Sequence, residues 1–137
     1  MQGPSRALRQ ASDPTMGGEV QYEWRGSLTD AEMVALVESL GGRPAVGWRD
    51  RVRQFSLGWV TARADDGVLV GFANVAWDGG DHAFLLDPKT RSTRQREGIG
   101  TAVVALVVQA CEGGGLRVAA RRLRPWTRPL LLRRVRF

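Results

Sequence analysis

Gln95-Arg96-Glu97-Gly98-Ile99-Gly100-Thr101 is the stretch on which the fold of this chain turns. Upstream lies Phe84-Leu85-Leu86-Asp87, an apolar run with strand character. Downstream, about Gly98 to Cys111 is nearly all Ala, Val and Leu and reads as a helix that needs cover on most sides. A glycine turn between a strand and a helix leaves backbone N–H groups and the helix dipole free to hold an anion. Gly98 and Gly100 let the backbone come close to a phosphate, because no side chain intervenes. Arg91, Arg94 and Arg96 surround the turn with positive charge. Alone, Gly-x-Gly at a helix start fits a plain turn equally well, so the flanking elements decide.

Working outward, His82 to Asp87 is the third strand of an antiparallel meander, with a loop from Pro88 to Glu97 after it. Asp78-Gly79-Gly80-Asp81 turns it back on a strand from Val68 to Trp77, and Asp65-Asp66-Gly67 turns that on a strand from Trp59 to Ala64. Before the meander come two helices. Thr29-Asp30-Ala31-Glu32 fits a capping box, Met33, Val34, Leu36, Val37 and Leu40 follow at helical spacing, and Gly41-Gly42 ends the helix. A second amphipathic segment covers about Val46 to Ser56, and Val20 to Arg25 reads as a short opening strand. Residues 1–18 are polar, Gly- and Pro-punctuated and aperiodic, the pattern of a disordered extension. Met16 is a candidate start within it. The order strand, helix, helix, three strands, basic loop, helix is an α+β plan.

The run Gln-x-x-Gly-x-Gly after a strand resembles the acyl-CoA signature of the GNAT acetyltransferase superfamily over about residues 19–112. Asn74-Val75-Ala76-Trp77-Asp78-Gly79-Gly80 and Ala83-Phe84-Leu85-Leu86-Asp87 resemble one bacterial subgroup of it. The resemblance implies a mixed, largely antiparallel sheet flanked by helices and an acetyl-CoA-dependent N-acetyltransferase. The acceptor it implies is a small-molecule or peptide amine. By position, Gln95, Arg96, Glu97, Gly98, Ile99, Gly100 and Thr101 would contact the CoA pyrophosphate, and Pro88, Lys89 and Thr90 would flank the pantetheine arm. Glu97 departs from the family, which is basic or small there, and weakens the attraction for phosphate. Asp87 ends the strand beside the implied acyl group, where it either deprotonates the amine or caps the turn before Pro88.

After this helix the family continues with another strand, a helix and often a tyrosine that protonates the departing thiolate. Leu116 to Trp126 fits neither element, and Tyr22 is the only tyrosine. The expectation is a domain truncated after the acyl-CoA-binding helix, with 113–137 an Arg-rich, out-of-frame tail. Read from the second base of each codon, the tail permits CEWLHVDFDPGLAPFYFDACGF, a good likeness of the missing segment. A one-base insertion near Gly113-Gly114-Gly115 would produce this.

Charge follows the same boundary. Residues 116–137 hold eight arginines and no acidic residue, so of 20 basic and 14 acidic residues in the chain, 20 − 8 = 12 basic remain against 14 in 1–115, a net −2. Nucleic-acid or acidic-surface binding is therefore expected only through the tail. The alternatives to an active transferase are an inactive CoA-binding remnant and a basic-tailed binding module. A single cysteine, Cys111, excludes an internal disulfide, and there is neither an apolar run long enough to span a membrane nor a signal h-region. Together these give a cytoplasmic expectation. No Cys/His cluster suggests a metal. His82 reads as structural, Asp78 and Asp81 as turn residues, Cys111 as a small core residue, and Trp24, Trp48, Trp59 and Trp77 as core or pocket walls.

Overall fold

The computed structural model describes residues 8–9 and 18–120. Its elements are β1 (Leu8–Arg9), β2 (Val20–Trp24), α1 (Asp30–Ser39), α2 (Trp48–Arg53), β3 (Ser56–Ala64), β4 (Leu69–Trp77), β5 (His82–Thr90), a 3₁₀ turn (Ser92–Arg94), α3 (Ile99–Gly113) and β6 (Arg117–Ala120). The strands form one sheet in chain order, antiparallel throughout except for the parallel pair β5–β6, which α3 connects. A parallel neighbour requires such a crossover, and the right length of apolar helix supplies it.

The helices take opposite faces. Val60, Ala62, Val70, Ala73, Val75 and Leu85 pack with Ile99, Val103, Val107 and Cys111 of α3. Leu69 and Phe72 pack with Met33 and Leu36 of α1. β4, central and covered on both sides, is buried from Leu69 to Val75, as a near-continuous apolar run should be. The extra residue Val70 in β4 shifts the register between Ala62 and Arg63 and lets Val70 and Gly71 both face α3.

α1 begins with the expected capping box: the Glu32 amide donates to Thr29 Oγ1 and the Thr29 amide to Glu32 Oε2. It ends where expected, with Gly41 at φ 72° and the Gly42 amide donating to the Val37 carbonyl at 3.1 Å. α2 is shorter than its amphipathic pattern suggests, because left-handed Gly47 opens it and β3 begins at Ser56.

Of three expectations about the later elements, two need correction. β5 does not end at Asp87 but runs through Pro88 to Thr90, because a bulge absorbs the proline. α3 has cover on most sides: Ile99, Val103, Val107, Val108 and Cys111 are buried and Ala102, Val104 and Leu106 pack partly on the core, while one stripe with Thr101, Ala105 and Gln109 is exposed. The sheet does not stop at α3: Arg117–Ala120 form β6 against the free edge of β5, with Val118 packed on the core. Within the extension 1–18, Leu8 and Arg9 pair with Tyr22 and Gln21. Residues 121–137, the greater part of the expected tail, lie outside the described residues.

Candidate active site

The bulge in β5 is where the site begins. Asn74 pairs with Leu86 and Phe72 with Lys89, so Asp87 and Pro88 together oppose the single residue Ala73. Asp87 takes φ 53°, a left-handed conformation that an aspartate tolerates better than most residues. Pro88 has no N–H to give to a ladder, and a bulge is one of the few places a strand accepts it. β6 pairs with β5 only from His82 to Leu85. Beyond Leu85, among the described residues, the β6-side edge of β5 is left without a partner strand.

After the bulge, alternation sends consecutive side chains to opposite faces. Thr90 faces α3 and lines a pocket of about 370 Å³ together with Gln95, Arg96, Gly98, Ile99, Gly100 and Thr101. Lys89 faces the other way and lines a second pocket, of about 170 Å³, between α1 and α2.

The first pocket sits at the start of α3. Gly98 is the N-cap at φ 81° and has no side chain with which to satisfy the first-turn amides, so those donors are available to a ligand. Arg96, also left-handed at φ 65°, lifts its backbone into the turn. A Cβ at Gly100 would stand 3.3 Å from Thr90 Oγ1, a tight contact on the pocket wall. These features fit an anionic phosphate group. Gln95 Nε2 reaches back to the Thr90 carbonyl at 3.5 Å.

Of the residues expected at the pyrophosphate, the structure brings together Gln95, Arg96, Gly98, Ile99, Gly100 and Thr101, with Thr90 beside them. Glu97 is not among them. Its carboxylate is turned back and accepts from Arg94 Nε at 2.7 Å, with both side chains largely buried. Glu97 thus braces the loop, and the expected weakening of phosphate attraction loses its geometric basis. Arg94 is spent in the same brace, leaving Arg96 as the cation that lines the pocket. Pro88 and Lys89 lie on the strand beside the pocket but do not line it.

Asp87 lines neither pocket; it is partly exposed, with Oδ1 3.8 Å from Nζ of Lys89, which lines the second. It caps no turn, because the strand continues past it. Tyr22 is buried on the α3 face; burial pushes its hydroxyl up, partly offset by the positive charge of Arg94. His82 is exposed and pairs with Asp78 in the turn before β5, at 3.2 Å. Among the described residues, no group of three or more His, Cys, Asp or Glu is placed to hold a metal ion. No described helix is long and apolar enough to cross a membrane.

The sequence reading missed the second pocket. Met33 and Val37 looked like helix core, and Trp48 like one wall among several. The available signal was Gly42-Arg43-Pro44-Ala45, a short interhelical loop of the kind on which binding residues concentrate.

Comparison with known proteins agrees with this geometry. No curated protein sequence matches the chain. Among solved structures, a GNAT-family acetyltransferase of Streptococcus pneumoniae is 18% identical with a TM-score of 0.62, the match covering 75% of each chain. A putative acetyltransferase of Deinococcus radiodurans is 20% identical with a TM-score of 0.62, over 84% of this chain and 88% of that one. A GNAT-family acetyltransferase of Brucella melitensis, solved in complex with acetyl-CoA, is 16% identical with a TM-score of 0.59, over 77% and 78%. At these identities the likeness speaks for the fold. The sequence profile of the acetyltransferase (GNAT) family matches residues 22–126, most of the chain, running from β2 through the glycine cradle and past β6. By that match, and by the bulged β5 and uncapped α3 that accompany it, the chain belongs to the GNAT acetyltransferase family.

Proposed function

We propose that this protein is an acetyl-CoA-dependent N-acetyltransferase that works by direct attack of an amine, with no covalent enzyme intermediate. The observation that carries this reading is the pocket at the uncapped start of α3, lined by the glycine cradle, Thr90 and Arg96. Acetyl-CoA would supply an activated thioester. The amides of Ile99, Gly100 and Thr101 and the Arg96 guanidinium would hold its pyrophosphate, and the unpartnered edge of β5 past Leu85 would pair with the pantetheine arm.

Asp87 stands where that edge meets the second pocket and takes the proton lost by the attacking amine, directly or through water. The new C–N bond forms as the C–S bond breaks. The released thiolate takes its proton from solvent, because the only tyrosine, Tyr22, is buried on the α3 side. That position of Tyr22 also supports a second reading, a chain that retains CoA binding while transferring acetyl groups poorly. The out-of-frame origin of the segment after Gly113 belongs to the same proposal, since restoring the frame would supply a tyrosine.

The test is amine-dependent release of free thiol from acetyl-CoA, measured beside CoA affinity. Turnover that falls about a hundredfold in Asp87→Asn, with CoA affinity retained, is expected of a general base. Affinity without turnover selects the second reading. Neither affinity nor turnover refutes both.

A further inference from the structure

We infer that the acceptor is a small amino acid with an apolar side chain, its carboxylate held between Arg43 and Lys89 and its amine presented to Asp87. The inference rests on the transferase reading above and concerns the second pocket.

Met33, Val37, Pro44 and Trp48 are among the apolar walls of that pocket, and Arg43 and Lys89 are its charged lining residues. Its volume, about 170 Å³, is close to that of an engineered cavity of about 150 Å³ that takes up benzene, so it fits an apolar group of about four to six carbons. Phe72 packs edge-on against Trp48, with ring centroids 6.1 Å apart, and fixes the wall. The charge on the rim decides the rest. The two lining cations differ: Lys89 Nζ pairs with Asp87 Oδ1 at 3.8 Å and lies 5.9 Å from the centre of the Trp48 ring, whereas among the described residues Arg43 has neither an ion-pair nor a hydrogen-bond partner. A polyamine or a lysine-rich peptide would bring further positive charge to this rim and be repelled. A carboxylate would be attracted by both cations.

Asp87 and Lys89 therefore present a negative and a positive group side by side, 3.8 Å apart. An α-amino acid presents the reverse, its nitrogen and carboxylate carbon about 2.5 Å apart across one Cα. The two pairs complement each other head to tail. The amine then lies against Asp87 on the bulge, beside the unpartnered edge of β5. The side chain enters between Met33, Val37 and Trp48.

The experiment follows the Trp48 indole N–H by NMR while L-leucine, L-methionine and L-phenylalanine are titrated into the full chain, each against its amide. At least one acid should bind about tenfold tighter than its amide, and the double variant Arg43→Gln, Lys89→Gln should bring the two within about twofold. Equal binding of acid and amide for all three overturns the inference, as does full discrimination retained by a folded double variant. The wild-type comparison stands even if the variant does not fold. CoA protection of the Gly98–Thr101 amides in the same samples separates the two readings. Protection without discrimination sinks this inference alone, and discrimination without protection sinks the cofactor reading alone.

Discussion

Glu32 closes the capping box of α1 and also accepts from Arg63 of β3, tying the helix start to the sheet. Hydrogen bonding from Arg63, more than any other cause, draws its carboxyl down to about 2 from an ordinary 4.5. A carboxyl held below its unfolded value stabilises the fold fully above that value, and the contribution disappears as the pH falls through the folded one. Both partners keep some solvent contact, with side chains 33% and 23% exposed, so screening reduces the gain to about 1 kcal/mol. Glu32→Gln should therefore cost about 1 kcal/mol in urea melts at neutral pH, and the difference from wild type should shrink between pH 4.5 and 2. A difference that is constant with pH contradicts the assignment. Gly71 makes a second residue-scale test. A Cβ there would stand 2.9 Å from Ile99 Cγ2 and 3.0 Å from the Ala62 Cβ, at the contact that seats α3 on the sheet. Gly71→Ala should destabilise by about 1–3 kcal/mol through overpacking, and an unchanged midpoint would show that the contact yields.

Among the elements, the loop between β5 and α3 separates two expectations about Glu97. Charge alone says that removing a carboxylate beside a phosphate site tightens binding. The brace to Arg94 says that removing it loosens the cradle. Glu97→Ala is predicted to weaken CoA binding on the order of fivefold, about 1 kcal/mol, by calorimetry. Tighter binding would restore the electrostatic view. The same loop shows what a sequence makes legible. The capping box, the Asp-Gly turns of the meander and the glycine turn that opens α3 are local signals, and each stands where it was read. Pro88 misled because a proline normally ends a strand, and only the non-local register against Ala73 reveals the bulge. β6 escaped because Val118-Ala119-Ala120 carries no alternation of its own and becomes a strand only by meeting the edge of β5. The α1–α2 pocket escaped because its walls come from two helices, the loop between them and a distant strand, none of which marks a cavity by itself.

At the scale of the whole molecule, the sheet separates two pockets, and under the proposed function the one on the α3 face would hold the cofactor and the one on the α1/α2 face the acceptor, with Asp87 serving both. Apolar side chains lie in the open on both faces of the sheet: Trp77 is 48% exposed on the face of Ala83, and Phe84 and Leu86 are each 41% exposed on the other. Residues 121–137 include seven arginines, whereas the alternative frame permits apolar residues and a tyrosine in their place. Under the out-of-frame proposal, deleting one base within the Gly113–Gly115 codons should give a chain with a higher melting temperature and faster acetyl transfer. Equal melting and equal rates in the two chains would end that account. The cofactor cradle is the central claim, and amide hydrogen exchange tests it most directly. CoA should slow exchange at Ile99, Gly100 and Thr101 in the wild-type chain, and Gly100→Glu, which places a carboxylate against Thr90 in the pocket, should abolish the effect. Identical CoA titration curves for the wild type and this variant would contradict it.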